Sequence, residues 1–305
     1  MAKAAISPEV VMRVLITGAQ GQVGQELMQS APAHWQISGF GSKELDISDA
    51  QQVLDIVQQV QPQLIINAAA YTAVDKAESD QDRAYAVNHL GAENLAKAAL
   101  SIDCPLLHIS TDYVFNGNHS RPYTENDTPA PNSVYGHSKW LGEQAITANC
   151  RKHIILRTSW VFGIHGNNFV KTMLRLSQER KALSIVSDQI GGPTSARSIA
   201  QALWQIAQDY QANGTASWGT YHFSGAPTCS WYEFAVEIFA QAVALKLIEQ
   251  SPALTPITTA DYPTPAQRPA YSVLDNTKIS QQLNNAQSDW KRELNLVLRQ
   301  LKDDQ

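Results

Sequence analysis

Cysteine and basic charge are both scarce in this chain, and each shortage excludes a class of protein. Its 23 Lys and Arg residues are outnumbered by 28 Asp and Glu residues, which gives a formal net charge of -5. A nucleic-acid partner is therefore not expected, because such proteins carry a basic excess. The three cysteines, Cys104, Cys150 and Cys229, are odd in number, far apart and free of CxxC spacing. We expect free thiols in a reducing compartment, which predicts a cytoplasmic protein.

Long apolar runs are also missing. No stretch approaches the roughly 20 residues that a membrane span requires, so no membrane partner is expected. Residues 1–11 carry one lysine and no apolar core, which fits neither a signal peptide nor an anchor, and we interpret them as a disordered leader. The 305 residues, 44% of them hydrophobic, suffice for one large α/β unit or two domains.

The first apolar run, residues 13–17, leads directly into a glycine-rich turn and then a helix-compatible segment. Gly18, Gly21 and Gly24 have the spacing GxxGxxG in the strand–turn–helix context of a dinucleotide site. The first glycine would make the tight turn, the second would admit a pyrophosphate, and the third would let helix and strand pack closely. We assign this turn to cofactor binding, through Gly18, Gln20, Gly21, Gln22, Val23 and Gly24.

The second predicted strand, residues 35–40, ends without the acidic residue that would hold a ribose 2'-hydroxyl in an NAD-selective site. This favours NADPH, with NADH as the alternative. Ser42 and Lys43 are candidates for a 2'-phosphate, although an exposed loop lysine is an equally good interpretation of the second. Asp46 either lies near the adenine or caps the next helix.

Two later strands also end in residues suited to a site. Small side chains follow the strand over residues 62–67, and we assign them to cofactor binding as Ala68, Ala69 and Ala70. Ser110 and Thr111 leave the strand over residues 105–109, where a hydroxyl can reach a reacting carbonyl oxygen; a simple turn is the alternative. Ligands of open α/β sheets bind at these carboxyl ends.

Tyr135 and Lys139 are four residues apart after a turn-rich segment. On a helix they would share one face and address one reacting centre, whereas a solvated face with a packed ring is the plain alternative. Asn88 is set among apolar positions of a predicted helix, and we expect a structural amide that bridges backbone groups, with a catalytic amide as the alternative. Trp160 follows another strand and either lines the ligand edge or packs in a core.

Strand-like and helix-like sequence patterns alternate regularly as far as residue 160. The pattern predicts an α/β fold, a Rossmann-type doubly wound parallel sheet with a smaller mixed α/β substrate-binding lobe. We assign residues 12–160 and about 187–215 to the NAD(P)-binding domain, and about 161–186 and 216–305 to the lobe.

These motifs together resemble the extended short-chain dehydrogenase/reductase superfamily. A narrower set resembles the dTDP-4-dehydrorhamnose reductases and extends from Met12 to the C-terminus. It consists of the segments Tyr71–Glu78, Gly166–Phe169, Thr172–Arg175, Ser187–Thr194 and Tyr262–Pro269.

The resemblance implies that NADPH or NADH delivers a hydride to the C4 carbonyl of dTDP-4-dehydro-L-rhamnose, giving dTDP-L-rhamnose in the last step of its biosynthesis. Tyr135 would supply the proton, and Lys139 would lower the phenol pKa from about 10 and hold the nicotinamide ribose. Thr111 would bond the carbonyl oxygen or the phenol.

The same resemblance implies a sugar-nucleotide substrate. The residues it places around the deoxysugar are Thr72, Val74, Asp112, Tyr113 and Trp160. Asn168 and Arg268 would lie toward the nucleotide diphosphate, since the planar fork of an arginine matches phosphate geometry.

One departure from the family concerns metal. Some members join two subunits through a magnesium ion held by acidic side chains, one of which follows the Gly-Pro-Thr turn. Arg197 occupies that neighbourhood here, and a cation cannot be a metal ligand, although Glu26 still matches another ligand position. We therefore predict no metal, and a monomer or weak dimer.

Two other functions stay open. A related epimerase would show no net consumption of NADPH, whereas a dehydratase usually carries an acidic residue after Thr-Asp, where this chain has Tyr113. A non-catalytic NADP-binding regulatory subunit would not need Thr111, Tyr135 and Lys139 intact.

Overall fold

A computed structural model describes residues 11–283 and 288–303, and its elements are numbered here along the chain. The predicted leader lies outside the described residues except for Val11. The strands are β1 (Arg13–Thr17), β2 (Gln36–Phe40), β3 (Leu64–Asn67), β4 (Leu106–Thr111), β5 (His153–Thr158), β6 (Val161–Phe162), β7 (Ala182–Val186), β8 (Ile190–Gly191), β9 (Thr194–Ser195), β10 (Gly219–His222), β11 (Gly225–Ala226), β12 (Cys229–Ser230), β13 (Ala253–Ile257) and β14 (Ser288–Asp289).

The helices alternate with the first strands and then connect the shorter ones. They are α1 (Gln22–Gln29), α2 (Ala50–Val60), α3 (Val74–Ala77), α4 (Gln81–Tyr85), α5 (Gly91–Ser101), α6 (Val134–Asn149), α7 (Phe169–Glu179), α8 (Ala196–Asn213), α9 (Trp231–Ala244), α10 (Thr277–Leu283) and α11 (Trp290–Asp303). A π-helical turn, Ala86–Leu90, joins α4 to α5. None of the described helices is both long and apolar enough to cross a bilayer.

Six parallel strands form the central sheet, in the order β10-β5-β4-β3-β1-β2. The chain reverses its direction of growth between β1 and β3, so a crevice opens there at the carboxyl ends of the strands. The predicted α/β class with a doubly wound parallel sheet is confirmed. β10 comes from residues assigned to the lobe, and the division into two domains stays a prediction.

Helices cover both faces of the sheet because side chains alternate along each strand. On β1, Val14 and Ile16 face a core built with α1 and α8, while Leu15 faces a core built with α2, α5 and α6. The same alternation recurs on β3, where Ile65 shares the second core. Burying each such side chain stabilises the fold by roughly 1.5–3 kcal/mol.

A third core holds the lobe together. It joins β7 to α7, α9 and α11, with Phe234 and Trp290 packed edge to face, their ring centroids 5.1 Å apart. β7 pairs with β13 in parallel, and α9 begins with a capping box between Ser230 and Glu233. The segments of this lobe are distant in sequence, so its core depends on long-range contacts.

A buried ion pair fixes α6 against the sheet. Arg157 on β5 donates from Nη2 to Glu143 Oε2 at 2.6 Å and from Nε to Oε1 at 2.9 Å. Both side chains are 5% exposed, and the guanidinium also lies 5.1 Å from the centroid of the Phe115 ring. Since α6 carries Tyr135 and Lys139, the Arg157–Glu143 ion pair helps to fix the position of both residues relative to the sheet.

Removal of the Glu143 charge tests the contribution of this ion pair to stability. Glu143→Gln leaves a buried guanidinium uncompensated, so we expect the free energy of unfolding to fall by about 3 kcal/mol in urea denaturation. Glu179→Gln is the matched control, because its partner Arg175 is exposed, and a loss below about 1 kcal/mol is expected there. Equal losses in the two variants would contradict the assignment.

Candidate active site

The glycine turn after β1 lies against the end of β3. Gly18 has φ +69°, and a Cβ there would lie 2.5 Å from the backbone nitrogen of Ala69. A Cβ at Gly24 would overlap the carbonyl oxygen of Gly18. Gly21 precedes α1 without any side-chain cap, so the first N–H groups of that helix are free for an anion. These features fit the pyrophosphate of a dinucleotide.

A cleft of about 370 Å³ opens at this turn. Eight of the residues predicted to bind the cofactor line it: Gly18, Gln20, Gly21, Ser42, Asp46, Ala68, Ala69 and Ala70. Lys43 is exposed and does not line the cleft, which favours its interpretation as a loop lysine.

Gln22, Val23 and Gly24, which were also predicted to bind the cofactor, are not among the residues that line the cleft. Gln22 accepts a hydrogen bond from Asn168, and Val23 is buried in the core that α1 shares with α8. Gly24 packs beneath Gly18. The buried Val23 side chain and the close backbone approach of Gly24 therefore support the turn from within.

Arg83 is the cationic side chain among the residues that line the cleft, and sequence analysis missed it. Its Nη2 lies 3.1 Å from Asp46 Oδ2, and its Nη1 donates to Ser48 Oγ at 3.2 Å. Asp46 does not cap α2, since Asp49 accepts the N–H groups of its first turn. No motif marks Arg83, which lies in a short polar helix.

Tyr135 and Thr111 meet at the carboxyl edge of the sheet. α6 begins at Val134, capped by the Ser133 hydroxyl, and so places Tyr135 in its first turn. Thr111 ends β4, and its hydroxyl accepts from the backbone N–H of Tyr113 at 3.1 Å. Burial raises the pKa of the Tyr135 phenol, and a hydrogen bond with the Thr111 hydroxyl opposes that rise. In this structure the pKa of the phenol is therefore raised, not lowered by Lys139 as the resemblance implies, and the phenol keeps its proton at neutral pH.

Lys139 lies one turn further along α6 and is almost fully buried. Its Nζ donates to the backbone carbonyl of Ile109 at 2.7 Å and lies 3.1 Å from His108 Nε2. Burial lowers the pKa of the ammonium to about 8, with the Glu143 carboxylate opposing the change. Tyr135 and Lys139 share one helix face, as expected.

Asp112 is buried beside Thr111, and burial raises the pKa of its carboxyl to about 6. Oδ1 accepts a hydrogen bond from Thr111, whereas Oδ2 is buried without a hydrogen-bond partner among residues 11–283 and 288–303. A buried polar atom of this kind is costly unless a ligand satisfies it. The Asp112 carboxyl thus fits a hydroxyl-bearing ligand.

Arg268 reaches this region from far along the chain. Its Nη1 donates to the Tyr113 hydroxyl at 3.0 Å, and its Nη2 pairs with Asp75 Oδ2 at 2.7 Å. The Tyr113 ring packs edge to face on Tyr135, with centroids 5.5 Å apart. Asp75, which sequence analysis did not single out within its motif, lies in α3 next to Val74.

Of the other predicted substrate residues, Thr72 is exposed just ahead of α3, and Val74 is partly buried. The π-helical turn holds this loop: Asn88 accepts from the backbone N–H of Tyr71 at 2.8 Å and donates to the Ser138 hydroxyl of α6. The expected structural role of Asn88 is confirmed.

Trp160 packs against the third core, and Asn168 lies at the start of α7. The Trp160 ring stacks on Trp231 with centroids 3.6 Å apart, and its φ of +47° turns the chain sharply after β5. Asn168 caps α7 and donates to Gln22 Oε1 at 2.9 Å. Trp160 is thus one half of an aromatic pair, and Asn168 joins the lobe to the glycine turn.

Comparison with known proteins identifies the relatives of the chain. A family model described as the RmlD substrate binding domain matches residues 12–303. A protein of Aggregatibacter actinomycetemcomitans named dTDP-4-dehydrorhamnose reductase is 49% identical over 284 residues, which cover 92% of this chain and 97% of that protein.

Solved structures give the same relationship. A dTDP-4-dehydrorhamnose reductase of Clostridium acetobutylicum is 39% identical, with a TM-score of 0.87 over 95% of this chain and all of that one. A second, from Bacillus anthracis, is in complex with NADP and is 38% identical, with the same TM-score and the same coverage of both chains.

The close approach of Gly18 to β3 is testable against a second glycine. Gly18 and Gly214 have φ of +69° and +70°, but a Cβ at Gly214 meets nothing within 4 Å. Both alanine variants bear the backbone strain, and only Gly18→Ala adds the clash, so its free energy of unfolding should fall by about 1–3 kcal/mol more. We also expect weaker NADP binding in titration calorimetry for Gly18→Ala alone. Equal behaviour of the two variants would count against cofactor binding by the glycine turn.

Proposed function

Because the chain belongs to the family of dTDP-4-dehydrorhamnose reductases, we propose that it reduces the C4 carbonyl of dTDP-4-dehydro-L-rhamnose to dTDP-L-rhamnose, with NADPH as the reductant. One observation carries the proposal: Tyr135 and Thr111 meet at the edge of the sheet, Lys139 lies one turn away, and a cleft suited to a dinucleotide opens at the same edge.

Tyr135 is the proton donor to the new alcohol in this proposal. Its phenol is protonated at neutral pH, and the Thr111 hydroxyl would turn from Asp112 to donate to the phenolate that forms on transfer. The Lys139 ammonium would stabilise the same negative charge, and general acid catalysis of this kind contributes about 10²- to 10⁴-fold to a rate.

The bound cofactor would supply the hydride. Gly18, Gly21 and the start of α1 would hold its pyrophosphate, and Ala68, Ala69 and Ala70 would leave room for it. Arg83, in place of Lys43, is the cation suited to a 2'-phosphate, because it lines the cleft next to Ser42. Lys139 would hold the nicotinamide ribose. This arrangement favours NADPH over NADH.

The sugar nucleotide would lie between the end of β4 and the lobe. Asp112 offers an oxygen that lacks a protein partner, and Tyr113, Thr72, Val74 and Trp160 would surround the deoxysugar. Arg268 would exchange its contact with Asp75 for the diphosphate. Asn168 would act there mainly by positioning Gln22 and the start of α7, since both ends of its amide are engaged.

The protein would work in the cytoplasm, since Cys104, Cys150 and Cys229 are buried and unbridged, as expected in a reducing compartment. It would also work as a monomer or weak dimer without a bridging metal. Burial raises the pKa of the Glu26 carboxyl, and the charges of His165 and Arg197 oppose that rise, so cationic groups already occupy this neighbourhood.

Oligomeric state is checked by light scattering before and after addition of EDTA. The molecular mass should be the same in both, because Arg197 cannot ligate magnesium. A dimer that dissociates when the chelator is added, and re-forms with Mg²⁺, would overturn this part of the proposal.

Loss of NADPH absorbance on addition of dTDP-4-dehydro-L-rhamnose tests the activity. Tyr135→Phe should lower kcat by about 10²-fold or more, because the proton donor is removed while the ring remains. Tyr85→Phe is the matched control, since that hydroxyl contacts His137, and it should retain turnover. An epimerase would consume no net NADPH, and a regulatory subunit would show no turnover; either result, or an unaffected Tyr135→Phe, would sink the proposal.

A further inference from the structure

A row of buried polar side chains crosses the central sheet and ends at Lys139. Thr17, Asn67 and His108 are register partners on β1, β3 and β4, and all three are 1% exposed. Thr17 Oγ1 donates to Asn67 Oδ1 at 2.7 Å, Asn67 Nδ2 lies 2.8 Å from His108 Nδ1, and His108 Nε2 lies 3.1 Å from Lys139 Nζ. The row faces α5 and α6, on the side of the sheet where Ile65 packs.

A backbone group fixes the orientation of Asn67. The N–H of Ala69 donates to Asn67 Oδ1 at 3.0 Å, and a backbone N–H can only donate. Turning the amide over would place its NH₂ group against this N–H and leave both buried without an acceptor. Asn67 therefore presents its NH₂ group to His108.

The orientation of Asn67 in turn assigns the tautomer of His108. Because Nδ1 accepts from Asn67, the neutral ring carries its proton on Nε2. Burial lowers the pKa of His108 well below its ordinary value, and the charge of Lys139 lowers it further, so the ring is neutral. Rotation of the ring by 180° would put carbon atoms in both contacts. The Nε2–H bond thus points at Lys139.

An ammonium has three donors and no acceptor, so it cannot receive the Nε2–H of His108. An unprotonated amine can, while it donates to the carbonyl of Ile109. We propose that His108 is a positioning residue for the proposed reduction: held by Asn67, it directs an N–H at the Lys139 amine and favours the unprotonated form in the ligand-free protein. This inference rests on the proposed function only for its catalytic meaning.

Several other charged groups surround the pair. Glu143 faces Lys139 from the same helix and is held by Arg157 of β5. His153 of β5 faces His108, and Asp112 faces Tyr135. The Glu143 carboxylate opposes the lowering of the Lys139 pKa by its charge, and its own ion pair with Arg157 weakens that effect. Burial and the N–H of His108 therefore both lower the pKa of Lys139.

The consequence for the reaction is a defined pH dependence. The ammonium of Lys139 is the form that stabilises the Tyr135 phenolate, and it is present below the lysine pKa. Since that pKa is lowered to about 8, kcat/KM should fall as the pH rises through about 8. Any change that removes the N–H of His108 should move this fall, the alkaline limb of the kcat/KM profile, to higher pH.

NMR on the ligand-free protein tests the tautomer without any activity assay. With ¹⁵N-labelled histidine, His108 should show the Nε2-protonated neutral ring, and with ¹³C-labelled lysine, Lys139 should titrate at or below pH 8. An Nδ1-protonated His108 at pH 9, where the unprotonated Lys139 amine predominates, would overturn the inference, and so would a Lys139 midpoint above pH 8. Because no substrate is used, this result is independent of whether the proposed reductase activity holds.

Variants test the direction of the effect. His108→Phe keeps a buried ring but removes the N–H, so the Lys139 midpoint should rise by about half a pH unit or more, and the alkaline limb of kcat/KM with it. Thr17→Val is the matched control: it removes a buried hydrogen bond of the same row but leaves Asn67 fixed by Ala69, so the midpoint should stay. A fall or no change in His108→Phe, or an equal shift in Thr17→Val, would refute the role of His108.

Discussion

The parallel register of β1, β3, β4 and β5 is the constraint on which the site depends. Parallel strands end at the same edge of a sheet, so the residues that follow each of them converge although they are far apart in sequence. Gly18, Ala69 and Thr111 follow or end three such strands. The reversal of strand order between β1 and β3 then leaves an opening at this edge, because the connections leave toward opposite faces. This topology produces the dinucleotide cleft. The glycines of the turn have no Cβ, so the backbone there can approach a bound cofactor closely.

The same register explains why polar residues survive inside the sheet. Thr17, Asn67 and His108 occupy adjacent positions on neighbouring strands, so each can satisfy its neighbour without water. A buried polar group without a partner costs about 1–3 kcal/mol, and replacement of one member would expose the next to that cost. The row therefore holds a single arrangement. It links the glycine turn, through Ala69, with Lys139.

Sequence reasoning predicted the strands, the glycine turn and the Tyr135–Lys139 helix because each has a local signal: periodicity, spacing or a cap. It did not find Arg83, and it did not see that Arg268 pairs with Asp75, because such contacts depend on the path of loops between distant segments. His108 was hidden for another reason. A lone polar residue in an apolar strand looks like an exposed position until the register of three strands is known.

Burial has opposite effects on the pKa values of Tyr135 and Lys139, two of the titratable groups of α6. Removing water disfavours the charged form of each group, so the pKa of the Tyr135 phenol rises while that of the Lys139 ammonium falls. A raised pKa keeps the proton on the phenol but also makes the phenol a weaker acid, so proton transfer needs neighbouring groups that stabilise the phenolate. The cost of ionising the phenol is then met at the moment of transfer by the Thr111 hydroxyl and the lysine. A reduction therefore begins with the proton already on Tyr135, and it depends on the neighbours of that phenol to release the proton.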